Sequence, residues 1–310
     1  MTSRHEAVLL IAYGGPNGPA DVRPYLSNVL RGRRVPTSRI DEVAHHYELF
    51  GGRSPLTELT RRQAATLEGV LRRRGHALAV YVGMRNWTPY LHETLAEMRA
   101  RGVRRAVGVI MAPQQSYSSW DEYQENVAEA RAHVGADAPE VDYVAPWFDA
   151  PGFVEAQAER VAGALAEVPP ARRAATPIVF TAHSIPVRMA EASPYVAQVS
   201  ASSRLVAERL GHARWSVAYQ SRSGDPCDPW LEPDVGQVIR GLAAAGTSDV
   251  VVAPVGFVSD HIEVLYDLDT EARAAASAAG IGFRRAGTVS DHPSFIEMLA
   301  DRVEHTARAR

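Results

Sequence analysis

The chain contains no lysine. Arginine therefore supplies all of its fixed positive charge, and in so alanine-rich a sequence this absence reflects genome composition rather than function. There is one cysteine, Cys227, which excludes an intrachain disulfide framework and any four-cysteine cluster supplied by this chain. No apolar run approaches membrane length. The opening stretch "MTSRHEAVLLIAYGG" is too short to span a bilayer and lacks a signal-peptide cleavage pattern, so it reads as a first buried strand. Neither sign of charge dominates: the net charge of -3 argues against a general nucleic-acid binder. A cytoplasmic protein without a membrane span fits these absences.

Several catalytic signatures are missing as well. There is no G-x-S-x-G elbow and no H-E-x-x-H pair. The turn "AYGGPNGPADV" invites a dinucleotide reading, but it fails the G-x-G-x-x-G spacing, and Pro16 removes an N–H where a phosphate would need one. The Gly pair instead allows a tight turn close to a ligand or another backbone.

What is present is a core and a rhythm. With 310 residues, 46% of them hydrophobic, the chain can build two domains of ordinary size. Short apolar runs at 7–12, 78–84, 106–112 and 140–145 read as four strands. A second set lies at 177–182, 215–220, 249–255 and 280–287. Amphipathic segments such as 57–74, 89–101, 152–168, 191–210 and 261–279 lie between them. Such alternation predicts βαβ units and parallel sheets in two similar α/β halves. "LLIAYGG" echoes "IVFTAHS", and "VIMAP" echoes "VVVAP", which suggests an internal duplication. The boundary is expected near "PWFDAP", giving halves of 1–148 and 149–310, with a C-terminal helix over 291–309 returning to the first half. Ligands of open parallel sheets sit beyond the strands' carboxyl ends, so the polar strand ends should converge on a cleft between the halves.

Two stretches there carry candidate chemistry. His183 ends a strand in "VFTAHSIP"; a lone histidine so placed is most often structural, but a neutral imidazole in a cleft also ligates metal or accepts a proton. In "SDHIEVLYDLDTEAR", Glu263, Asp267 and Glu271 recur every four residues, which on a helix stacks like charges near one face, with Asp260 and Asp269 nearby. This reads either as a solvated acidic helix face or as a carboxylate track for a divalent cation. One imidazole and one carboxylate would bind a metal loosely, which suits a site that takes a metal and then releases it.

Together, "AYGGP", "YELFGGRSPL", "GMRNWTPY", "TAHSIP", "YQSRSGDPCDPWLEPDV" and "PVGFVSDHIEVLYDLD" closely resemble the ferrochelatase family over almost the whole chain. The resemblance implies two Rossmann-like, chelatase-type halves, each with a four-stranded parallel sheet flanked by helices, around a porphyrin cleft. It implies a metal-inserting lyase of haem biosynthesis that takes Fe2+ as substrate. His183 is implied as iron ligand or proton acceptor, Glu263 as its partner, and Asp267 and Glu271 as a metal-delivery path. Tyr13 is expected on the macrocycle face opposite His183, and it resembles the soluble, Gram-positive coproporphyrin III branch, where the protoporphyrin branch tends to carry Met. The candidates for the four propionates are Arg31, Arg33, His46, Tyr47, Ser54 and Tyr123. Leu30 stands where that branch often has a second Arg, His46 where it often has Arg, and "MAPQQSYSSWDEY" lacks its usual His after Pro, so some propionate contacts should be reorganised.

With one cysteine no [2Fe–2S] cluster is expected, and no tightly bound cofactor. A monomer is expected, with a downstream haem-pathway enzyme as candidate partner. The competing readings are a protoporphyrin IX ferrochelatase, a cobalt or nickel chelatase (which usually places two histidines at the metal) and a non-catalytic tetrapyrrole or haem carrier.

Overall fold

The computed structural model describes residues 5–31, 37–223 and 228–308, with the side chains of 37–39 excepted. Arg33 and Cys227 lie outside the described residues. The chain divides into two compact units: one comprises Met1–Ala112, Tyr117–Pro146 and Ser290–Arg310, the other Pro113–Ser116 and Trp147–Val289.

In the first unit β1 (Ala7–Ala12), β2 (Ala79–Met84), β3 (Arg105–Ile110) and β4 (Glu140–Tyr143) form a parallel sheet of order β2-β1-β3-β4. All six residues of β1 are buried, as a strand covered on both faces requires. Leu9 and Ile11 pack with Leu91, Leu95 and Met98 of the helix Leu91–Ala100 and Val127 of the helix Asp121–Val134. Alternation leaves Val8 and Leu10 for the other face, where the helices Leu56–Arg73 and Pro293–Arg308 pack.

The second unit repeats the order. Here β5 (Ile178–His183), β6 (Trp215–Gln220), β7 (Asp249–Ala253) and β8 (Gly282–Arg285) run parallel as β6-β5-β7-β8. Val179, Val250 and Val252 pack with Val235 and Ile239 of the helix Val235–Ala244, and with Val264, Leu268, Ala272 and Ala276 of the segment 262–278. In each sheet the chain crosses its own first strand to reach the third, so the winding reverses there. That reversal opens a crevice beyond the carboxyl ends of β1 and β3, and of β5 and β7.

The expected eight parallel strands are present. "DVVVAPV" stops at Ala253 because Pro254 has no N–H for the ladder. The helix expected from 191 starts at Tyr195, after Pro194, and Val187–Glu191 forms a separate turn. The largest departure is at 265–272, which is a π-helix between α-helical turns Ile262–Val264 and Arg273–Ala278.

Candidate metal and porphyrin site

His183 is the last residue of β5, at the crevice of the second sheet. Its Nδ1 bonds the carbonyl of Ser184. A carbonyl can only accept, so Nδ1 carries the proton, and in the neutral ring the Nε2 lone pair is left over. Nε2 faces Oε2 of Glu263 at 3.7 Å, the two side chains 31% and 49% exposed. Both are thus open to an incoming ligand, and the pair lies within one unit.

Glu263 arrives there by a close approach. Gly256, in the turn after β7, donates its N–H to Thr181 at 3.0 Å. A Cβ on Gly256 would stand 2.7 Å from Cβ of Ala182, so only glycine lets the loop lie this near β5. His261 packs edge-on against Phe257, with ring centroids 5.1 Å apart, and its Nδ1 is 3.9 Å from Glu263. Burial pushes the His261 pKa down, against the pull of Glu263, so its ring is held neutral.

The acidic ladder follows the π-segment. A π-helix, bonded i→i+5, takes more residues per turn than the α-helix's roughly 3.6. Positions four apart overshoot a turn in one and fall short in the other, so alternating the two keeps every fourth residue in line. The buried ridge Val264, Leu268, Ala272, Ala276 uses this, and Glu263, Asp267 and Glu271 each precede one of its members. Asp267 accepts from Ser221 Oγ and, at 3.4 Å, from Gln220 Nε2. Ser221 is held at φ +60°, left-handed backbone that a non-glycine residue adopts at a cost of about 1–3 kcal/mol. Burial, reinforced by Glu263 and Glu271, pushes the Asp267 carboxyl up to about 7 against these hydrogen bonds. The other two nearby acids belong elsewhere: Arg285 donates from Nε to both oxygens of Asp269 (2.9 and 3.0 Å) and from Nη1 to Asp260 (3.1 Å). Among the described residues no three of His, Cys, Asp and Glu converge as a metal cluster. The donor set at His183 is one imidazole and one carboxylate, suited to transfer rather than storage.

In the first unit, Tyr13 directly follows the last residue of β1 and is 36% exposed. The guanidinium of Arg85 lies 5.8 Å from its ring centroid and 5.4 Å from that of Tyr123, and is paired with Glu122. Tyr13 and Tyr123 are thereby brought together. Ser54 sits against the Gly turn: a Cβ on Gly15 would be 2.6 Å from its Cβ, and its N–H donates to Pro16 at 2.8 Å. Tyr47 packs edge-on with Tyr25, centroids 5.8 Å apart. Ser54, Tyr47 and Tyr123 are buried, His46 is half-buried and Arg31 is exposed, donating to Asn28 at 2.7 Å. Arg85 and Ser221 were not singled out by sequence reasoning; both stand inside the quoted motifs "GMRNWTPY" and "YQSRSGDP", the only signal that marks them.

Known proteins give a consistent picture. The family model for ferrochelatase matches residues 5–307. The coproporphyrin III ferrochelatase of Mycolicibacterium smegmatis is 45% identical over 302 residues, 96% of this chain and 89% of the relative. That of Mycobacterium avium is 47% identical over 302 residues, 96% of this chain and 87% of the relative. Among solved structures, the cobalt complex of the sirohydrochlorin chelatase SirB from Bacillus subtilis subspecies spizizenii is 13% identical, with a TM-score of 0.57 over 98% of this chain and 95% of that one, which is a likeness of fold. From the match across nearly its whole length, the chain belongs to the ferrochelatase family of metal-inserting lyases.

Proposed function

We propose that the enzyme inserts ferrous iron into coproporphyrin III, with His183 and Glu263 at the point of insertion. The observation that carries the reading is the 3.7 Å approach of His183 Nε2 to Glu263 at the carboxyl end of the second sheet. The curated relatives, 45–47% identical and named coproporphyrin III ferrochelatases, support the substrate. Tyr13 supports it too, through its likeness to that branch.

Insertion exchanges one Fe2+ for two pyrrole N–H protons. A flat macrocycle keeps its nitrogen lone pairs in the ring plane. Gripping it in a bent shape exposes them, at a strain of about 1–5 kcal/mol drawn from binding energy elsewhere. Glu263 and Nε2 of His183 receive the protons. The ladder Asp267 and Glu271 attracts the cation, whose charge relieves the repulsion between carboxylates without a full coordination shell to trap it. Iron is the substrate, and no resident cofactor has a role. Tyr13 contacts the macrocycle, and Arg31, His46, Tyr47, Ser54 and Tyr123 contact propionates. Arg31, exposed and permanently charged, is suited to a carboxylate, while the buried hydroxyls of Tyr47, Ser54 and Tyr123 act as fixed donors. The protein acts as a monomer of 33.7 kDa and passes its product to a downstream haem-pathway enzyme; light scattering at twice that mass would overturn the first of these.

The test is an anaerobic metallation assay followed by absorbance. Coproporphyrin III should be metallated faster than protoporphyrin IX. His183→Ala should nearly abolish turnover while porphyrin binding remains measurable. Faster turnover of protoporphyrin IX would overturn the substrate assignment, and a fully active His183→Ala would overturn the site.

A further inference from the structure

We propose that Tyr195 is a positioning residue that sets the aim of the His183 imidazole. The inference rests on the reading of His183 as the group that meets iron. Tyr195 opens the helix Tyr195–Leu210 and is 5% exposed. Its hydroxyl donates to the backbone carbonyl of His183 at 2.9 Å. The next amide, Ser184 N–H, donates to the Gln220 carbonyl at 2.7 Å, and Ser184 Oγ donates to the Leu231 carbonyl at 2.9 Å.

The peptide unit between His183 and Ser184 is therefore held from both sides, by Tyr195 at its carbonyl and by β6 at its N–H. A peptide is planar, so fixing its two ends fixes the torsions that flank it. One of them, φ of Ser184, acts with that residue's ψ to place the Ser184 carbonyl, and that carbonyl accepts the ring's Nδ1–H. The chain of dependence ends at Nε2, turned toward Glu263. Removing the phenol oxygen leaves a carbonyl at the strand end without its donor, and the peptide then gains by turning to find another. Tyr195 bonds the main chain of His183 and not its ring, so it acts through orientation, as the outer partners of metal-binding histidines do.

The test uses Tyr195→Phe, with Tyr219→Phe as control. Tyr219 is also a buried tyrosine, and it stands beside Ala182 in the ladder. Three quantities are measured: kcat for Fe2+ insertion, KM for porphyrin, and the affinity for Co2+ read from its visible absorption without porphyrin. Tyr195→Phe should lower kcat and weaken Co2+ binding by about 10- to 100-fold each, with KM within about twofold. Tyr219→Phe should change none of them. Wild-type kcat and Co2+ affinity in Tyr195→Phe would overturn the proposal. So would a loss of rate that only follows its melting curve while Co2+ affinity is kept, or an equal loss in the control. If the Phe variant does not fold, ring 15N shifts of His183 in the wild type decide: a proton on Nδ1 supports the proposal and one on Nε2 sinks it. His183→Ala separates the two levels. An active His183→Ala defeats the site itself; an inactive one beside an unaffected Tyr195→Phe defeats only the role of Tyr195.

Discussion

Asp267 shows how a single side chain is tuned by its place. Its carboxyl, ordinarily near 3.8, is pushed up to about 7, first by burial and then by Glu263 and Glu271. A raised acid keeps its proton in the folded chain after the unfolded chain has lost it. Between about pH 4 and 7 the folded state thus binds more protons, and this group's contribution to stability falls as pH rises through that window. Asp267→Asn should flatten that part of the stability–pH curve, as urea melts at pH 5 and 7.5 would register. In the proposed delivery role of Asp267 protons compete with the cation, so insertion at low Fe2+ should weaken below pH 7 in the wild type and depend less on pH in the Asn variant; identical pH–rate profiles would contradict that role. Glu263→Gln keeps the shape of the side chain and removes its charge and basicity. It should lower kcat by about a hundredfold while changing stability little, because the carboxyl is half exposed.

Among the elements, the turn after β7 decides whether Glu263 reaches His183 at all. Gly256→Ala places a methyl 2.7 Å from Cβ of Ala182 and 2.8 Å from its Cα. The clash should cost about 1–3 kcal/mol and displace the loop, lowering kcat in the molecules that remain folded. A Gly256→Ala enzyme with wild-type kcat at a temperature well below its melting point would show the close approach to be dispensable. The helix Pro293–Arg308 behaves differently. Phe295, Ile296, Leu299 and Val303 are wholly buried in the first unit. Arg74 holds the opposite face of the helix, donating to Asp301 at 2.7 Å and Glu304 at 3.1 Å and pairing with Glu297. Leu299→Ala should cost about 2–5 kcal/mol, and Arg74→Ala only about 1 kcal/mol, since exposed ion pairs contribute little. Chemical melts measure both, and neither change should alter kcat of the folded enzyme.

For the molecule as a whole, what was readable in advance follows from range. The run "AVLLIA" is a buried parallel strand because six consecutive apolar residues can be covered only on two faces, and β1 and β6 have the very bounds that their sequence predicts. The fourfold spacing of the acids also pointed to one helix face, and they do lie along one ridge. The π-turn that keeps the ridge straight was not readable. It satisfies two ridges at once, and the buried one matters only against β-strands far away in the chain. Asp260 and Asp269 counted in the sequence as further negative charge beside the acidic track, yet Arg285 binds both, and nothing in local spacing announces that pairing.

By itself the sequence determined the alternation of strands and helices, the parallel sheets and the donor types at two strand ends, because each of these follows from periodicity and chemistry within a few residues. Only the tertiary structure decided that His183 meets Glu263, that Nδ1 of His183 is spoken for by Ser184, and which acids are already paired. Those are matters of distance between residues remote along the chain, settled when strand order and register bring them side by side.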